Sequence, residues 1–283
     1  MKTMPADFTL APFILTNVAA ALAEDLGTGD LTVNLIPERT HAVATVITRQ
    51  NMVLCGTQWF ESCFHALDSN CEISWLLQEG EIANPNQTLC EIKGDARAML
   101  SAERPGLNFL QLLSATATIT RQYADCVAGL KTKIMDTRKT LPGLRRAQKY
   151  AVTVGGGHNQ RIGLFDGILI KENHIMAAGS IGAALQAAFG LATPGVSIQI
   201  EVENLNQLRE ALEAGAKLVL LDNFDLEAMR TAVSLNAGRA ELEASGGINR
   251  QTIRAIAETG VDRISIGSLT KDVSAVDLSM RFA

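Results

Sequence analysis

The sequence predicts an α/β protein in which a parallel barrel follows a smaller N-terminal α+β domain, and three observations carry that expectation. With 283 residues and 47 % hydrophobic composition, the chain can bury a full core. From Lys133 onward the pattern repeats as apolar strand, loop and helix. Polar or glycine residues close the successive strands at Arg138, Lys171, Glu201, Asp222, Ser245 and Gly267, at intervals of 33, 30, 21, 23 and 22 residues. Each interval holds one helix and two loops. Parallel βα units bring strand C-termini to one rim, so these six positions are expected to converge on a single pocket. Taken singly, each is an ordinary turn residue; their joint placement points to a site.

The elements follow in chain order. Ile14, Val18, Leu22 and Leu26 recur at helical spacing, and Glu24 to Thr32 (EDLGTGDLT) ends that amphipathic helix. His41 to Arg49 and Cys71 to Leu77 read as strands, with a helix from Thr57 to Leu67 between them and turns at Glu79-Gly80 and Asn84 to Asn86. These form the small domain, residues 1–110. After Glu103-Arg104-Pro105-Gly106 a long helix begins, with Leu107, Leu110, Leu113 and Ala117 on one face. The barrel domain covers 111–272, with strands at Lys133 to Thr137, Gly167 to Ile170, Ser197 to Val202, Lys217 to Leu221, Leu242 to Ser245 and Arg263 to Ile266. Leu205, Leu208 and Leu212, and then Ile248, Ile253 and Ile256, mark helices between them.

Charge and cysteine content exclude several classes. The formal net charge is −5, which disfavours nucleic acid, since phosphate-backbone binding needs a broad basic face. Five cysteines (Cys55, Cys63, Cys71, Cys90, Cys126) contain no Cys-x-x-Cys pair, so neither a disulfide framework nor a zinc site is indicated. Reduced thiols are expected. MKTMPADFTLAPF lacks the pattern of a signal segment, and no stretch approaches the ~20 apolar residues of a membrane span. A cytoplasmic protein is expected.

Positive charge is local. Arg138, Lys139, Arg145, Arg146, Lys149, His158, Arg161, Lys171 and His174 all fall between Met135 and Ile175. Arg138, Arg161 and Lys171 suit a dianionic organic acid, because guanidinium groups clamp carboxylates bidentately. Arg145, Arg146 and Lys149 read as the solvated face of a helix. Arg104 can join the cationic set or be a surface residue. Glu201 and Asp222 end apolar strands, where an unpaired buried charge is costly. Either they share a magnesium ion with a phosphorylated sugar, or they pair with Lys171 or Arg138 to hold the barrel. Ser245-Gly246-Gly247 and Gly267-Ser268 each follow a strand and precede a helix, an arrangement suited to cradling one phosphate. His174 can reach the rim beside Lys171, His158 has no assigned role, and His41 and His65 read as structural or surface residues without polar company. Neither a catalytic triad nor a dinucleotide fingerprint is present.

At this point the chain resembles the quinolinate phosphoribosyltransferase family over nearly its whole length. The resemblance runs through EDLGTGDLT, Ala102 to Thr118, MDTRKTLPGLR, YAVTVGGGHNQR, LIKENHI, IEVEN, LLDNF, ASGGI and ISIGSLT. It implies an irregular, incomplete parallel α/β barrel with a smaller N-terminal α+β domain, a return of residues 273–283 to that domain, and a homodimer or higher assembly. It further implies that Arg138, Gln160, Arg161 and Lys171, with Arg104 of a partner subunit, bind the carboxylates of quinolinate. Lys139, His174, Glu201, Asp222, Ser245, Gly246, Gly247, Gly267 and Ser268 would bind phosphoribosyl pyrophosphate, with Mg²⁺ carried by that substrate and met by Glu201 and Asp222. Lys139, Lys171, Glu201 and Asp222 would be the catalytic set. The implied reaction yields nicotinate mononucleotide, pyrophosphate and CO2 in de novo NAD biosynthesis. Two departures stand out: the family's Asn-His-Arg is Asn159-Gln160-Arg161, so Gln160 or His158 takes the histidine's place, and Arg104 is followed by Pro105-Gly106 instead of a helix-friendly pair.

Two other classes make different demands. A paralogue with another acceptor would thin the Arg138, Arg161, Lys171 set, which is intact. A non-catalytic sensor of an anionic metabolite would lack Glu201 or Asp222, and both are present.

Overall fold

The computed structural model describes residues 10–283, and the counts below are of those residues. The expectation that MKTMPADFTLAPF holds no signal segment falls mostly on residues 1–9, outside the described residues. Two units interleave along the chain: one takes the residues up to Ile119 with Leu141–Gly156 and Thr270–Ala283, the other Thr120–Thr140 and Gly157–Leu269. These units are discontinuous in sequence.

In the first unit, α1 (Ala11–Leu26) buries Ile14, Val18 and Leu22 and stops at Gly27, whose φ of 50° suits glycine. β1 (His41–Thr48), β2 (Met52–Val53), α2 (Thr57–Leu67), β3 (Glu72–Trp75), β4 (Ile82–Ala83) and β5 (Thr88–Asp95) follow. α2 begins at Gly56, at φ 103°, where a Cβ would lie 3.0 Å from Leu113. Its first N–H groups are satisfied by the Glu79 carboxylate, which accepts from Gly56 N–H at 2.7 Å and from the Thr57 hydroxyl at 2.5 Å. Trp59, Phe60 and Phe64 of α2 anchor this unit's core together with Leu89, Ile92, Leu107 and Leu110. His65 does have polar company, its Nε2 lying 3.0 Å from the Cys71 carbonyl oxygen.

The long helix α3 (Ala96–Cys126) starts well before Pro105 and passes through it, correcting the expected start after Gly106. Asp95 supplies the start, its carboxylate accepting from the Ala98 N–H at 3.0 Å. Burial of Met99, Ala102, Leu107 and Leu110 outweighs the one backbone hydrogen bond that proline forgoes. Gly106 suits the close packing here: a Cβ would meet Phe64 at 3.1 Å and Phe60 at 3.2 Å.

The second half runs β6 (Lys133–Met135), α4 (Arg145–Val154), β7 (Gly167–Ile170), α5 (Glu172–Ala178), α6 (Ile181–Leu191), β8 (Ser197–Val202), α7 (Leu205–Glu213), β9 (Leu218–Asp222), α8 (Leu226–Asn236), β10 (Glu241–Ser245), α9 (Ile253–Ala257), β11 (Arg263–Ser265), α10 (Ser268–Lys271) and β12 (Leu278–Phe282). Ser180, Asn204 and Asp225 cap α6, α7 and α8 through side-chain oxygens. β12 pairs antiparallel with β1, giving a sheet ordered β12-β1-β5-β3 in the first unit. α4 belongs to that unit and corrects another expectation. Lys149 is fully buried, not on a solvated face, and the Arg146 guanidinium lies 3.9 Å from the centre of the Phe13 ring. The helix is enclosed because Gln148 ties it inward, its side chain accepting from Leu141 N–H and donating to the Thr270 carbonyl, both at 2.8 Å.

The second unit is built on six parallel strands in the order β6-β11-β10-β9-β8-β7. β6 and β7 are the two edges, so the barrel is incomplete. In cross-strand register, Leu169 faces Gln199, Glu201 faces Leu220, Leu220 faces Glu243, and Asp222 faces Ser245. Period-two alternation therefore turns Gln199 and Glu201, Glu243 and Ser245 to the same side of their strands. All five cysteines are free thiols, and all but Cys126 are buried. Among the described residues no single helix is long and apolar enough to cross a membrane.

Candidate active site

A cavity of about 200 Å³ opens at the C-terminal ends of the parallel strands. Its wall takes Asp136 and Arg138 from beyond β6, Leu169 and Lys171 from β7 and its end, Gln199 and Glu201 from β8, Leu220 from β9, Glu243 and Ser245 from β10, and Ser265 from β11. Every strand of the sheet, or the segment just past it, contributes. Side chains from β7 and from just beyond β6, the two edges, line the same cavity, so the sheet curls as an unclosed barrel must. A cavity of about 410 Å³ lies at the opposite strand ends, but there Lys131 is already matched with Asp262 at 2.9 Å. The charged convergence expected from the sequence is at the smaller one.

The loop from Gly157 to Asp166 delivers two of the side chains. His158 bridges to β6, donating its N–H to the Ile134 carbonyl at 2.8 Å and accepting from Asp136 N–H at 3.0 Å. That role is structural, and it places Gln160 and Arg161 at the cavity. Gln160 N–H donates to the buried Asp136 carboxylate at 2.7 Å. Arg161 Nη1 donates to the Gly167 carbonyl at 2.8 Å, and Gly167 is glycine because a Cβ would sit 3.1 Å from Arg161 Cβ. Asp166 closes the loop by accepting from the Ile162 and Gly163 N–H groups, both at 2.8 Å.

The electrostatics favour an anion. Arg138, Lys139, Arg161 and Lys171 line the cavity together. Burial, and then the positive charge of Arg138, push Arg161 below its ordinary pKa. A dianion between the two guanidiniums reverses that repulsion and supplies bidentate acceptors. Lys171 Nζ lies 2.7 Å from Glu201 Oε2, with the lysine half-exposed, so this ion pair can be exchanged for a substrate contact at little cost. It also realises one of the two readings of Glu201, as a barrel ion pair.

The remaining candidates have defined places. Asp222 ends β9 beside Ser245, and its Oδ2 accepts from Asn223 Nδ2 at 2.8 Å. Gly246 must be glycine, since its φ is 108° and a Cβ would collide with the Asn223 side chain. Gly247 follows at φ 57°. Gly267 and Ser268 follow β11 after Ile266, and β11 neighbours β10, so the two loops are adjacent on one rim. His174 is exposed at the start of α5, where its Nδ1 accepts from the Lys171 N–H at 3.0 Å, fixing the turn that aims Lys171. Arg104 belongs to the first unit and is exposed on α3.

Asp136, Gln199, Glu243 and Ser265 are cavity residues that the strand-end reading missed. They lie one layer deeper, each two residues before a rim position: Arg138, Glu201, Ser245 and Gly267. The period-two rule applied inward from Glu201, Ser245 and Gly267 points to Gln199, Glu243 and Ser265. Burial raises the Glu243 carboxyl above the usual glutamate range, with hydrogen bonds from Gln199, Ser265 and Gln160 opposing the rise. No group of three or more His, Cys, Asp or Glu side chains among the described residues is arranged to hold a metal ion. Glu201 and Asp222 alone fit Mg²⁺ in the way that ion usually binds, with one or two carboxylates and the other ligands from substrate oxygens and water.

The chain matches two family models, the N-terminal domain of quinolinate phosphoribosyl transferase over residues 30–114 and the C-terminal domain over residues 116–281. It is 41 % identical to a probable carboxylating nicotinate-nucleotide pyrophosphorylase of Bacillus subtilis, covering 91 % of this chain and 89 % of the relative. A counterpart described in the same words in Synechocystis is 36 % identical over 99 % of this chain and 97 % of its own length. Among solved structures, the nicotinate-nucleotide pyrophosphorylase from Francisella tularensis superposes with a TM-score of 0.95 at 45 % identity, covering 100 % of both chains.

Proposed function

The chain belongs to the quinolinate phosphoribosyltransferase family, and on that premise we propose that it joins quinolinate to phosphoribosyl pyrophosphate with decarboxylation, in de novo NAD biosynthesis. The observation that carries this reading is the meeting of Arg138, Arg161 and Lys171 with Glu201 in one cavity at the strand ends. Cations suited to a pyridine diacid face a carboxylate suited to a ribose.

The roles follow from the chemistry of each group. Arg138, Arg161, Lys171 and Gln160 grip the two carboxylates, which directs the ring nitrogen at the anomeric carbon and removes the entropic cost of orienting two reactants. As that carbon loses pyrophosphate it gains oxocarbenium character, which Glu201 and Asp222 stabilise electrostatically. Lys139, Lys171 and His174 meet the departing pyrophosphate, while Ser245, Gly246, Gly247, Gly267 and Ser268 hold the 5′-phosphate. Glu201 and Asp222 would be the groups that hold a Mg²⁺ ion arriving with the substrate, and that ion would supply charge neutralisation for the leaving group. Once the nitrogen is quaternary, the bond from the adjacent ring carbon to its carboxylate breaks. CO2 leaves, the electron pair stays on the ring carbon beside the positive nitrogen, and a proton completes nicotinate mononucleotide. The reaction asks for no covalent enzyme intermediate.

Self-association as a homodimer or higher belongs to the same proposal, with Arg104 of a second copy completing the quinolinate contacts, as do a cytoplasmic location and the absence of nucleic-acid and membrane partners. Purified protein supplied with quinolinate, phosphoribosyl pyrophosphate and Mg²⁺ is expected to form nicotinate mononucleotide, with nicotinic acid a poor competing acceptor. Turnover of nicotinic acid alone would overturn the substrate assignment.

A further inference from the structure

The floor of the cavity holds a carboxylate that packing does not ask for. Glu243 is 1 % exposed, on β10, with Leu220 of β9 and Arg263 of β11 opposite it in register. A leucine would fill this layer without the several kcal/mol that burying a carboxylate costs. What the carboxylate gains is a set of amide contacts. Its two oxygens each accept from Gln160 Nε2 at 2.5 Å, and Oε2 also accepts from Gln199 Nε2 at 3.0 Å. An ionised carboxylate only accepts, so it dictates which end of each amide faces it. Gln160 is thereby held at two points, by Asp136 through its backbone N–H and by Glu243 through its side chain. The next residue is Arg161.

We propose that Glu243 is a positioning residue for the diacid subsite: it fixes the side chain of Gln160, and through that residue the presentation of Arg161, for quinolinate rather than for phosphoribosyl pyrophosphate. This rests on the function proposed above. Gln160 has a flexible side chain, which needs an external holder to take one orientation. Glu243, locked in the strand layer beneath, provides it. Gln199 and Ser265 are the supports that keep the carboxylate itself from turning.

The test is a double-substitution cycle, with kcat and both KM values measured for the wild type, E243Q, Q160A and the double variant. Removing a charged acceptor of buried amides is expected to raise the quinolinate KM about tenfold in E243Q, with the KM for phosphoribosyl pyrophosphate within about twofold. In the Q160A background the same substitution is expected to change the quinolinate KM by less than about twofold, because the two groups act as one. Equal rises in both KM values, or effects of the two substitutions that multiply, would overturn the inference. Should E243Q fail to yield folded protein, E243D keeps the charge one methylene short, and the same split between substrates and the same cycle with Q160A apply. Wild-type protein that turns quinolinate over while E243Q and E243D match it refutes the positioning role alone. Wild-type protein that does not turn quinolinate over refutes the function beneath it as well.

Discussion

Gly246→Ala is the perturbation whose cost the geometry states most directly. At φ 108° the backbone is in a region that L side chains rarely adopt, which costs on the order of 1–3 kcal/mol. The added Cβ would also collide with Asn223 Oδ1, lie 2.9 Å from its Cγ and come within 3.2 Å of its backbone Cα. The amide end of Asn223 can swing away, but the Cα cannot, and Asn223 is itself at φ 55°. Swinging away gives up the 2.8 Å hydrogen bond to Asp222 Oδ2. That bond is exposed and adds less than about 1 kcal/mol to stability. The sum is about 1–4 kcal/mol, or a melting temperature lower by roughly 2–7 °C for a chain of this size. Because the moved side chain holds Asp222, the KM for phosphoribosyl pyrophosphate is expected to rise more than that for quinolinate. Calorimetry and initial-rate kinetics read both effects. A variant that melts within 1 °C of wild type with an unchanged phosphoribosyl pyrophosphate KM would refute the argument from close approach.

Three further outcomes are expected. Arg138→Ala should raise the quinolinate KM roughly a hundredfold while leaving that for phosphoribosyl pyrophosphate within about threefold, since a guanidinium–carboxylate clamp is worth ~3 kcal/mol; equal effects on both substrates would remove Arg138 from the diacid subsite. The folded state raises the Glu243 carboxyl, so its contribution to stability is fully present below the unfolded glutamate value near ~4.3 and is lost as pH rises through the folded value. Denaturant unfolding of wild type and Glu243→Gln across that range should therefore show the wild type losing stability relative to the variant as pH increases, and parallel curves would contradict the burial of an ionisable group. Thiol titration at pH 8 with an aromatic disulfide should find Cys126 reacting first in native protein, because the other four thiols are buried and burial holds Cys63 at about 12; more than one fast thiol would contradict that packing.

The six parallel strands were legible because each is a short apolar run ending in a polar or glycine residue, and Gly167–Ile170 and Ser197–Val202 match the expected bounds. β5 escaped notice because TLCEIKGD mixes charges with a glycine that resembles a breaker. Gly94 serves packing instead, since a Cβ there would lie 2.9 Å from Asp68 and 3.3 Å from the Cys71 sulfur. β2 and β4 have two residues each, too few to show a period. Pro105 misplaced the start of α3, because local propensity gave way to burial along the rest of that helix. For the site, the rim was readable from strand ends: Arg138, Lys171, Glu201 and Ser245 do share one cavity. The layer below was not. Gln199 and Glu243 are polar residues inside apolar strands, and a reading that assigns strand interiors to the core passes over them.

The most direct measurement follows label and leaving group together. Quinolinate carrying isotopic carbon in the carboxylate next to the ring nitrogen, turned over with phosphoribosyl pyrophosphate and Mg²⁺, is expected to release one labelled CO2 for each pyrophosphate, and Arg138→Ala should slow both releases equally. Pyrophosphate released without labelled CO2, or equal turnover with nicotinic acid in place of quinolinate, would contradict the assignment of this cavity to a decarboxylating phosphoribosyl transfer.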